Sequence, residues 1–128
     1  MKTYPIYSDL DNTLIAFEID NTSVFLSDIM RALQNSSNVK NVHIRKAFSK
    51  SPDVHITFDF FNQPYIVWEP WGDNSRYWIG PDNDNNPPID IQELENLLIN
   101  ANKITLNRFC YAVVLLIILV GVYYIYLK

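Results

Sequence analysis

The spacing of apolar residues changes period several times along the chain. Residues 13–19, TLIAFEI, alternate, with Ile15, Phe17 and Ile19 on one side, as in a half-buried strand. From Thr22 to Gln34 the period becomes helical. Phe25, Leu26, Ile29, Met30 and Leu33 share one face, and Ser27, Asp28, Arg31 and Gln34 the other. Asp20 or Asn21 is the expected N-cap. Alternation then returns in NVHIRKAF (41–48) and VHITFDF (54–60), and further strands are expected in PYIVWEP (64–70) and RYWIG (76–80). SKSPD, FNQP and GDNS separate these runs, and connections this short join antiparallel neighbours. If the first pair turns at Lys50–Pro52, His43 faces Asp59 and Arg45 faces Thr57. DNDNNPP (82–88) reads as a loop and DIQELENLLINAN (90–102) as a second helix. TYPIY, near the start, is a weak strand because Pro5 interrupts it. The expected fold is α+β: an antiparallel β-meander of four to five strands packed with one or two helices.

The end of the chain follows a different rule. Phe109 to Leu127, FCYAVVLLIILVGVYYIYL, is an unbroken run of 19 residues without a charge. As a helix it would extend roughly 28 Å, close to the thickness of a bilayer's hydrocarbon. Tyr111, Tyr123, Tyr124 and Tyr126 lie towards its ends, where aromatic belts form. It shows no polar face, as a helix packed in a small core would. No Gly or Pro occurs between Ile89 and Gly121, so the second helix can continue into the run. MKTYPIYSDLDNTL lacks the apolar segment of a signal peptide. The expected layout is therefore tail-anchored and single-pass. It comprises a domain at 1–102, a basic juxtamembrane segment at 103–108 and a transmembrane helix at 109–127. Lys103 and Arg108 before the run, against Lys128 after it, favour a domain facing the cytosol. Cys110 is the single cysteine, so no internal disulfide can form.

Charge narrows the partners. Residues 1–102 carry 7 Lys and Arg against 14 Asp and Glu, a net of −7, while the remainder carries +3. An acidic domain repels phosphates, which argues against nucleic acid, and it suits a protein partner of basic charge. No cofactor is implied.

Three stretches carry candidate chemistry. SDLDNTL (8–14) resembles the first motif of the haloacid dehalogenase superfamily. The resemblance implies a phosphohydrolase with Asp9 as nucleophile, Asp11 as general acid/base and Thr13 holding the phosphoryl group. It also implies a parallel sheet and later motifs that this chain does not spell. The alternative is an Asx turn before a strand. Asp82, Asp84, Asn86, Asp90 and Glu93 match ligand positions of an EF-hand calcium loop, but Pro87 stands where that loop needs glycine. The competing reading has Asp90 capping the second helix and Glu93 completing a capping box. Finally, Tyr65, Trp68, Trp71, Tyr77 and Trp78 crowd one hairpin. Trp71, Arg76, Tyr77 and Trp78 are the candidate contacts for a protein partner, with Arg76 expected to pair with Glu69 or Asp73. The favoured function is a membrane-tethered, non-catalytic binding module, similar in shape to bacterial inhibitors and toxin-immunity proteins.

Overall fold

The computed structural model describes residues 1–22, 24–45, 53–70, 75–83, 87 and 89–126, with the backbone alone for 102–109 and 122–126. Among these residues six strands form one antiparallel sheet: β1 (Thr3–Tyr7), β2 (Leu14–Asp20), β3 (Val39–Ile44), β4 (Val54–Phe60), β5 (Gln63–Trp68) and β6 (Arg76–Pro81). Their order is β1-β2-β6-β5-β4-β3. Strands β3 to β6 form the expected meander, and the N-terminal β1–β2 hairpin adds to its β6 side. The sheet has one strand more than the upper expectation. TYPIY does form a strand, at the sheet edge where proline is tolerated.

Helices α1 (Leu26–Gln34) and α2 (Gln92–Tyr126) cover one face of this sheet. Phe17, Ile19, Ile56, Phe58, Phe60, Tyr65, Val67 and Ile79 project from alternate strand positions. They meet Ile29 and Leu33 of α1 and Ile91, Leu94 and Leu98 beside or within α2 in one core. Strand alternation alone sends these side chains to the same side.

Local contacts correct several expectations. Helix α1 begins later than expected, at Leu26, with Phe25 at the N-cap and no side-chain cap. Asp20 is still paired in β2, opposite Arg76. Its carboxylate accepts the backbone N–H and hydroxyl of Thr22, at 3.1 and 2.8 Å, and so closes the turn after β2. The β3–β4 register also differs. His43 faces Thr57, and Lys40 faces Asp59. Asn41 adopts φ 52° at the register shift, and its amide donates to Asp59 at 2.6 Å. At the β4–β5 turn, Phe61 and Asn62 both have positive φ, 48° and 62°, as a two-residue type I′ turn requires.

Helix α2 starts beside the β1–β2 turn, where the Ile91 N–H donates to the Leu14 carbonyl at 3.0 Å. It runs past Thr3, whose hydroxyl donates to Glu95 at 2.7 Å, and then past Met1, whose amino group donates to the carbonyls of Leu98 and Ile99. Glu95 is buried and is further satisfied by Gln92 Nε2 at 2.8 Å. Beyond Ala101 the backbone stays helical to Tyr126, and the side chains of 110–121 are all exposed. Among the described residues no helix is long and apolar enough to cross a membrane. Within the 109–127 run, the described side chains are those of 110–121.

Candidate functional site

Neighbouring residues of β6 point to opposite faces of the sheet. This divides the expected contact set. Arg76 and Trp78 lie on the face without helices, and Tyr77 packs against the core beneath them. Trp71 lies outside the described residues.

The open face is built around a glycine. The Trp78 indole lies across Gly80, where an added Cβ would stand 2.3 Å from its Cη2. Trp68, on the neighbouring strand, meets Trp78 edge to face, with centroids 6.0 Å apart and planes at 83°. Ile66 pairs with Gly80 in register, and Ala16 falls in the same row. Both are buried, yet neither belongs to the main core. The open face thus carries a second, small apolar layer, and Trp68 keeps 37% of its surface exposed.

A charged group borders this layer. The Arg76 guanidinium sits 3.8 Å from the Tyr4 ring centroid and bonds Glu18 Oε2 at 2.7 Å. Of the expected partners, Asp73 lies outside the described residues and Glu69 is bonded to His55. The strand order places β2 beside β6 instead, so Glu18 becomes the neighbour. Its hydrogen bond raises the Arg76 pKa further above the ordinary guanidinium value. Lys2 Nζ lies 4.9 Å from the same Tyr4 ring. An edge-on Trp pair beside a stacked, paired arginine is the residue chemistry of protein contacts.

The helix-covered face has a polar cluster that sequence reading missed. His55 Nε2 and Glu69 Oε2 are 2.9 Å apart, with side chains 16% and 11% exposed. The His55 ring meets Tyr77 edge-on at 5.6 Å. Burial raises the Tyr77 pKa, Glu69 raises it further, and a hydrogen bond with Asn21 works the other way. The pair arises because His55 is the extra residue of an irregularity in β4: Val54 faces Trp68, and Ile56 faces Val67.

The SDLDNTL stretch is the turn of the β1–β2 hairpin. The Ser8 N–H donates to the Thr13 carbonyl at 2.8 Å, Asn12 has φ 57°, and Asp11 accepts the Thr13 N–H at 3.1 Å. Bonding with Thr13 and Ser8 lowers the Asp11 pKa. Asp9 and Asp11 are both exposed, and the strands around them are antiparallel. The parallel sheet implied by the dehalogenase resemblance does not occur among the described residues.

Asp84 and Asn86 of the calcium-like stretch lie outside the described residues. Asp90 accepts the Gln92 N–H at 2.9 Å at the start of α2. Glu93 accepts from Asn38 Nδ2 at 2.7 Å, so its carboxylate ties α2 to the α1–β3 connection. Among the described residues no three His, Cys, Asp or Glu side chains are grouped to hold a metal. No family model matches this chain, and no curated protein or solved structure matches it significantly.

Proposed function

We propose that this chain is a membrane-tethered, non-catalytic module that recognises a protein partner. The observation that carries this reading is the sheet face where Trp68, Trp78, Tyr4 and Arg76 gather, with no helix over them among the described residues. Buried or edge-on aromatics with a neighbouring arginine are typical anchors, and the net charge of −7 on residues 1–102 steers a basic partner. Residues 109–127 form the anchor in the lipid bilayer, and the domain faces the cytosol. Two features support anchoring: the run has no charge, and α2 continues helical to Tyr126, with the side chains of 110–121 exposed. Trp71 remains a contact candidate by its place in the same hairpin. By analogy of class alone, the module acts as bacterial inhibitors and toxin-immunity proteins do, by covering a partner.

The test is capture of the partner by the full chain in membranes, comparing Trp68→Ala and Arg76→Glu with Asp9→Asn, each first checked for folding. An anchor aromatic truncated to alanine costs at least ~2 kcal/mol at a hot spot, or roughly thirtyfold in affinity. Loss with Trp68→Ala or Arg76→Glu supports the reading. If Asp9→Asn alone abolishes the phenotype, the hairpin aspartates carry the function and phosphohydrolase chemistry returns.

A further inference from the structure

The domain has two distinct ends. The turn end carries the 8–13 loop, the Phe61–Asn62 turn and the start of α2. The other end carries Met1, the close of β2 at Asp20 and the start of β6 at Arg76. The two are separated by the length of β2, seven residues or ~20 Å. Helix α2 enters at the turn end, where Ile91 bonds Leu14, and leaves beside Met1, at Leu98 and Ile99. From Ile99 to Phe109 the helix advances ~15 Å before the uncharged run begins. Gln92 to Val120 contains no Gly or Pro, and the backbone is one helix throughout. Buried Ile91, Leu94 and Leu98 fix its first turns to the sheet and to α1.

We infer that α2 is a strut that fixes how the domain stands on the bilayer. The end at Met1, Asn21 and Phe25 faces the headgroups, and the turn end points away. This rests on the anchoring part of the proposed function. A flexible tether would let every surface of the domain reach the lipid and partners alike. A strut keeps the open face roughly upright and presents Leu10 and Phe61 outward. Leu10 is 97% exposed at the far end and Phe25 is 72% exposed at the near end, so both tolerate labels.

The experiment uses the full chain carrying Cys110→Ser, with a donor dye on Phe25→Cys or Leu10→Cys. It is reconstituted in zwitterionic vesicles containing a headgroup acceptor. Flotation of the same samples reports membrane binding independently. Energy transfer several-fold stronger from position 25 than from position 10 is expected. Inserting Gly-Gly-Ser-Gly after Asn102 should bring the two values together. Equal transfer in the uninterrupted chain that still floats overturns the strut and leaves the anchor standing. A chain that does not float overturns both.

Discussion

Gly80 exists for Trp78: the indole occupies the space that any other side chain at position 80 would need, with Cη2, Cζ2 and Cζ3 all within 3.0 Å of an added Cβ. Gly80→Ala must therefore push the ring off the sheet. A loss of about 1–3 kcal/mol is expected from this overpacking. Chemical denaturation should show the loss, and tryptophan emission should shift red. In a Trp78→Ala background the same substitution should cost much less. An equal cost in both backgrounds would place the strain elsewhere.

The His55–Glu69 pair is the second test of packing. Each partner leaves the other's polar atoms in a largely covered site, so His55→Ala and Glu69→Ala should each cost ~1–3 kcal/mol. In a double-mutant cycle the two should couple by roughly 0.5–3 kcal/mol. Strict additivity would mean that the 2.9 Å contact contributes nothing.

These two relationships show where sequence reading reaches and where it stops. The alternation in 56–60 and the helical start after Asp90 are legible because each depends on neighbours in sequence, whereas Val54 is turned to the opposite face by the irregularity at His55. The Arg76 partner is not legible. Glu18 lies 58 positions away and comes close only because the β1–β2 hairpin joins the meander beside β6. The β3–β4 register was misread because an alternating pattern does not reveal where Asn41 takes positive φ. The role of His55 is hidden for a similar reason: as the extra residue of β4 it turns towards Glu69 and Tyr77. For the candidate site, the residue types in the β5–β6 hairpin are legible. Their division between faces needed only strand alternation, which places Tyr77 opposite Arg76 and Trp78.

Turn geometry makes a further prediction. Asn62 sits at φ 62°, where a β-branched side chain is strained. Asn62→Val should destabilise the fold by ~1–2 kcal/mol, whereas Asn62→Gly should be nearly neutral. Thermal unfolding of both variants measures this, and equal melting temperatures would contradict the type I′ assignment.

Alkaline stability follows from two phenols. Burial holds the pKa of Tyr65 above its ordinary value, and burial followed by the Glu69 charge does the same for Tyr77. A phenol that ionises less readily when folded favours the native state below its unfolded pKa. That contribution is lost as pH rises through the folded value. Stability should hold through neutral pH for these groups and fall from about pH 10 upward. Tyr77→Phe should make the alkaline decline shallower. An unchanged slope would show that the Tyr77 hydroxyl is not held in its neutral form.

The central claim is that the open sheet face meets a protein while the chain is held at a membrane. Thr57 is exposed on that face, in the same row as Ile66 and Gly80, and belongs to neither tryptophan nor the arginine group. A photo-crosslinking residue at position 57, activated in intact membranes that contain the native partner, reads this contact directly. The account predicts one discrete protein adduct that disappears with Arg76→Glu and persists with Asp9→Asn. No adduct from position 57, or an adduct indifferent to Arg76→Glu, would contradict it.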